Sequence, residues 1–178
     1  MRGLLASLIL VTSVNAAAAQ HQPYAGMQVR PIKTLSDQQI DDLQSGRGMG
    51  LALAAELNGY PGPSHVLVLG DKLGLTSDQR ARVQTLFNDM KAEAVPLGEK
   101  LIAQEAELDR QFAIKQVTPV SLSSATLAIG ATQGALRNAH LKYHLATLAI
   151  LTAAQIARYA ELRGYQAGAQ PHAPHRHK

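Results

Sequence analysis

Leu75-Thr76-Ser77-Asp78-Gln79 and Leu151-Thr152-Ala153-Ala154-Gln155 are two copies of one pattern, Leu-Thr-x-x-Gln, and Leu35-Ser36-Asp37-Gln38-Gln39 is a close variant. The pattern is a capping box. The Ser or Thr hydroxyl accepts a bond from the N–H three residues on, and the Gln side chain reaches back to the N–H of the cap residue. Each box therefore predicts a helix start. A good cap is worth about 1 kcal/mol. The leading leucine folds onto the first turn, and Leu151 is placed to staple against Ile156. The residues that carry the pattern are Leu75, Thr76, Gln79, Leu151, Thr152 and Gln155.

Downstream of the 75–79 box, Val83, Leu86, Met90, Ala94, Leu97, Leu101, Leu108 and Phe112 recur at steps of three and four, or their sum, as one helical stripe. Pro96 inside it predicts a kink. Val117-Thr118-Pro119 ends the run and starts another, with Thr118 as cap and Pro119 at the first helical position. The second long helix is expected over 120–149, with Leu122, Ile129, Leu136, Tyr143 and Leu148 near one face. Gly130 and Gly134 with Ala131 and Ala135 predict a close helix contact within the fold. A last helix opens at the 151–155 box and stops at Gly164.

Before the long helices, Leu35 opens a short helix that ends at Ser45-Gly46, and Gly46-Arg47-Gly48-Met49-Gly50 reads as a hinge. Short helices are expected at 51–57 and 65–73, the second capped by Ser64, around a rigid Tyr60-Pro61-Gly62-Pro63 turn. The fold class is thus all-α, a long bent antiparallel hairpin with short helices before it and one after it.

Arg2, the apolar run from Leu4 to Val14 and Ala17-Ala18-Ala19 have the order of a secretory signal peptide, with cleavage expected after Ala19. The divisions are 1–19 signal peptide, 20–34 flexible arm, 35–165 helical domain and 166–178 a loose histidine-rich tail. Cysteine is absent, so packing, oligomerisation or metal must replace disulfides in an exported chain. Loss of Arg2 leaves 16 basic and 13 acidic side chains, too small and dispersed an excess for nucleic acid.

With its signal peptide, absence of cysteine and paired boxes, the stretch from Leu73 to Arg163 resembles the Spy/CpxP group of periplasmic proteins, closest to its heavy-metal sensor and resistance branch. The resemblance implies a cradle-like homodimer. It implies an ATP-independent chaperone that holds unfolded or misfolded envelope proteins or, alternatively, a sensor or resistance protein for Zn, Ni, Co or Cu. A membrane sensor kinase or anti-sigma factor is the implied signalling partner. No cofactor is required beyond such a divalent metal.

Seven histidines offer nitrogen ligands. His140 and His144 are four apart and share a helix face. The antiparallel hairpin brings them toward His65, with Asp71, Asp78 or Asp89 as carboxylate partners. His172, His175 and His177 form a tail cluster of the kind that binds metal loosely. In nickel and cobalt sensors of the resembled group, histidines precede both boxes, as His65 and His144 do here, but their further histidine one turn on is replaced by Leu69. The chain has no Gly-x-x-x-x-Gly-Lys-Ser/Thr loop, no Gly-x-Ser-x-Gly elbow and no His-Glu-x-x-His helix, so it is not expected to be an enzyme.

Overall fold

A computed structural model describes residues 24–165. Among the described residues every regular element is helical: α1 Asp37–Gln44, α2 Leu53–Glu56, α3 Pro63–Val68, α4 Ser77–Ala113, α5 Pro119–Leu148 and α6 Ala153–Arg163, after a 3-10 turn at Met27–Val29. The expected signal peptide and the histidine tail lie outside the described residues. No described helix is long and apolar enough to cross a membrane.

The three boxes close as the sequence predicts. Ser36, Thr76 and Thr152 accept from the N–H of Gln39, Gln79 and Gln155, and each Gln accepts the cap N–H in return. Thr118 makes a fourth box in which Ser121 stands at the reciprocal position. Gly164 ends α6 with φ 72°, a left-handed conformation that glycine adopts without steric cost.

Helices α4 and α5 form the body. Gln79 bonds to the Ile150 carbonyl at 2.9 Å, and Glu93 takes Lys142 and Tyr143 as partners, so residue numbers rise along one helix as they fall along the other. This is the expected antiparallel hairpin. One core fills its middle: Ala94, Leu101, Ile129 and Leu136, joined by Ile32, Leu35 and Leu43 from the N-terminal segment. A second core fills its base: Val66, Leu73, Val83, Leu151 and Tyr159, with Ile156 packed against it.

Four expectations change. The 24–34 part of the arm is not simply extended. Ile32 is buried in the middle core, Lys33 pairs with Asp109 at 3.1 Å, and Thr34 donates to Glu105. One apolar side chain and two polar ties are enough to fasten it. The predicted stripe stops short of the hairpin tip, where Phe112 is 53% exposed and Leu122 37%, and where Gln111 and Ser121 line the space between the helices instead. Pro96 lies inside α4, which remains one element on either side of it. Ala92, whose carbonyl loses its helical partner there, is exposed, so water can take that bond.

The third change concerns glycine. Gly130 and Gly134 face open space, and the close contact lies instead at Gly98. A Cβ there would stand 2.4 Å from the carbonyl oxygen of Leu43. Gly98 thus lets the C-terminal end of α1 lie directly on α4. The fourth change is that α3 begins two residues earlier than expected, at Pro63 with Gly62 as its cap residue. Proline pre-sets the first helical φ and has no N–H to orphan, so Ser64 is not needed as a cap.

Candidate metal site

The loop between α1 and α2, the turn before α3, and the inner faces of α4 and α5 enclose a cleft of about 520 Å³. His65, His140 and His144 all line it. The sequence spacing therefore brings the three predicted histidines to one place. They are not equivalent there.

His144 is 8% exposed. Its Nδ1 lies 2.6 Å from the Tyr60 carbonyl oxygen. A carbonyl only accepts, so Nδ1 carries the proton and Nε2 of the neutral ring keeps its lone pair. The Pro61-Gly62-Pro63 turn makes this contact reachable. Both prolines are fully buried, and a Cβ on Gly62 would stand 2.8 Å from His144 Nε2.

His140 sits one helical turn earlier and is 3% exposed. Its Nε2 is buried with no hydrogen-bond partner. Burial first, and then the neighbouring His144 imidazole, pull its pKa below the usual histidine value. The ring is therefore neutral at physiological pH, the state in which a nitrogen lone pair can bind metal. His65, on α3, is half-exposed, and its Nδ1 lies 3.3 Å from Glu56 Oε1.

Glu56 is the residue that the sequence did not point to. It ends the four-residue α2 and is 5% exposed. Its Oε1 accepts from the hydroxyls of Tyr159 and Tyr165. Oε2 accepts from the Gly62 N–H at 3.3 Å and lies 3.8 Å from His144 Nδ1. Arg163 stands 3.4 Å from Oε1. Burial alone would raise this carboxyl's pKa. His65, Tyr159 and Tyr165 together outweigh that and hold it at about 2. For Tyr159, burial first and then the Glu56 carboxylate push the hydroxyl's pKa well above the ordinary tyrosine range.

This arrangement gives Glu56 a role different from that of a simple ligand. Both of its oxygens are engaged by donors, and it faces Nδ1 of His65 and of His144. A carboxylate on Nδ1–H orients an imidazole and makes its Nε2 a better donor to metal. The carboxylates expected at the site are elsewhere. Asp71 pairs with Arg80 at 2.6 Å and Asp78 with Arg82 at 3.7 Å, while Asp89 is exposed and does not line the cleft. Asp71 and Asp78 thus take arginine partners from the same stretch of chain.

Among the described residues, no three His, Asp or Glu side chains stand together as a finished metal cage. The cleft is lined by the ring of His140, whose Nε2 is buried without a partner, and by a second imidazole whose tautomer leaves Nε2 free. These donors suit a cation that favours nitrogen. Leu69, at the place of the absent histidine, packs against the basal core. His172, His175 and His177 lie outside the described residues.

No curated protein and no solved structure matches the chain. The model of the heavy-metal resistance family matches residues 48–158, a span that holds the cleft's glycine loop from Gly48 onward, Glu56 and all three of its histidines. The chain belongs to the heavy-metal resistance family.

Proposed function

We propose that this protein works in the periplasm by binding a heavy-metal cation in the cleft between α2–α3 and α5, and that binding rather than catalysis is its task. The observation that carries the reading is that His140, whose buried Nε2 has no partner, lines one cleft with His144 and His65. An unbonded buried polar atom costs about 1–3 kcal/mol, a cost that a bound cation would offset. Periplasmic placement rests on the signal-peptide pattern at 1–19. A metal-dependent change at α3 or α6 would then be passed to a membrane sensor kinase or anti-sigma factor.

The test is calorimetric titration of the full mature chain with Zn(II), Ni(II), Co(II), Cu(II) and Ag(I). The expected result is a cation whose binding heat is lost in His140→Gln/His144→Gln and kept in a chain ending before Gln166. Equal heats in the wild type and the double variant would remove the cleft from the account.

A second reading is the holding of unfolding clients. It is favoured by the exposed apolar tip of the hairpin, where Phe112, Ile114 and Val120 are 53%, 44% and 81% exposed. A homodimer built over part of that surface would supply the cradle. Light scattering of an aggregating envelope protein tests it, and an unchanged aggregation rate at equimolar protein would sink it.

A further inference from the structure

Imidazole is not the whole of the cleft's chemistry. Met49 and Met90 line it beside His140 and His144. The chain has four methionines, so half of its sulfur is gathered at one place. Met90 comes from α4 and is 6% exposed, while Met49 comes from the glycine loop and is 40% exposed.

The loop holds Met49 in an unfavourable way. Its φ is +43°, and the glycine after it, Gly50, has φ +81°. A residue with a side chain costs roughly 1–2 kcal/mol in the left-handed region, and glycine avoids that cost. In Gly46-Arg47-Gly48-Met49-Gly50 the strained position is filled by a methionine although glycine stands on both sides of it. A thioether on the rim of the cleft is the gain that this strain buys.

The remaining donors select the cation. Thioether sulfur and neutral imidazole are soft or borderline ligands, and with no thiolate present they favour Cu(I). The buried carboxylate that a harder dication would want, Glu56, already accepts from two tyrosine hydroxyls and a backbone N–H. Lys91 also lines the cleft, its Nζ 5.9 Å from the centre of the Phe87 ring. Its positive charge repels a dication twice as strongly as a monocation at the same distance.

We propose that the cleft takes a soft monovalent cation, Cu(I) or Ag(I), held by the thioethers of Met49 and Met90 with the imidazole of His140. The proposal rests on the reading of this cleft as a metal site and specifies its ligand class. Binding is uncharged-ligand coordination of a cation already in the monovalent state, with no electron transfer.

The experiment has two arms on the full mature chain. In the first, Cu(I) under nitrogen, in competition with a chromophoric chelator, and Zn(II) are titrated into the wild type, Met49→Leu, Met90→Leu and the double variant. Leucine keeps the apolar volume. Cu(I) affinity is expected to fall at least tenfold in each Met→Leu variant, while Zn(II) affinity changes less than twofold. In the second, Ag(I) is added to wild type carrying 13C-methyl methionine. The Met49 and Met90 methyl signals are expected to shift together and saturate at one equivalent, with Met27 unmoved as the control outside the cleft. This arm stands even if a variant fails to fold. Unmoved Met49 and Met90 signals, or Cu(I) affinity indifferent to both substitutions, overturn the soft-cation proposal. If His140→Gln still weakens Zn(II) in that case, the metal site survives and only its ligand class is wrong. If no cation responds to His140 or His144, both readings fall.

Discussion

The side-chain amides of Gln79 and Gln155 hydrogen-bond to each other in both directions, each Nε2 lying 2.9 Å from the other's Oε1. Each Oε1 meanwhile accepts the cap N–H of its own helix, from Thr76 at 3.1 Å and from Thr152 at 2.9 Å. Each Nε2 also reaches the loop before the other box, Gln79 to the Ile150 carbonyl and Gln155 to that of Gly74. The two boxes are one device that joins the start of α4 to the start of α6.

That coupling predicts non-additivity. Gln79→Ala and Gln155→Ala should each cost about 1–2 kcal/mol in urea unfolding, and the double variant about 1 kcal/mol less than their sum. Independent caps would give simple addition. In that case the contact between the amides carries no energy.

Glycine substitutions should separate by position. Gly98→Ala puts a methyl against the Leu43 carbonyl, with no flexible side chain to give way, and should cost about 2–4 kcal/mol. Gly130→Ala and Gly134→Ala face open space on α5 and should each stabilise by about 0.5–1 kcal/mol, the helix propensity difference. Thermal unfolding followed by circular dichroism measures all three.

Acid should loosen the cluster around Glu56. Its folded pKa is about 2 against an ordinary 4.5, so the unfolded chain takes up the proton first as pH falls. Its contribution is complete above about pH 4.5 and is lost between there and about pH 2. In chemical denaturation the wild type should lose on the order of 3 kcal/mol more than Glu56→Gln across that window. Parallel curves for the two proteins would show that the carboxylate is not held as the contacts imply.

The tautomer of His144 is a prediction in itself. At pH 8 the metal-free protein should show nitrogen chemical shifts of an Nδ1–H imidazole at this residue, because the Tyr60 carbonyl accepts from it. Gly62→Ala would crowd the ring at 2.8 Å, and should displace it and weaken cation binding about tenfold, or roughly 1.4 kcal/mol. An Nε2–H ring in the wild type would contradict this.

The helix starts were legible because a capping box is local. Ser36, Thr76 and Thr152 each find their partners within three residues. The convergence of His65, His140 and His144 was legible from the hairpin's direction alone. Their orienting carboxylate was not, because Glu56 lies among alanines and leucines on a four-residue helix, and Tyr159 and Tyr165 reach it from about a hundred residues away. A separation of 76 residues likewise hides the Gln79–Gln155 pairing. Gly130 and Gly134 misled because spacing reports what a helix permits, while the Leu43–Gly98 contact depends on where α1 lands.

The turn between Ala113 and Pro119 is held by bonds between near neighbours in sequence, from Ile114 to Arg110, Lys115 to Phe112 and Gln116 to Gln111. Lys115 has φ +57° there, and Phe112 and Ile114 are exposed beside it, whereas the opposite end of the hairpin carries the basal core, the glutamine pair and the Glu56 cluster. Amide hydrogen exchange should therefore be fastest at 110–124 and slowest at 79–94 and 139–147, with opening energies that rise from tip to base. The hairpin should fray from its tip, and the cleft lies toward the end expected to open last.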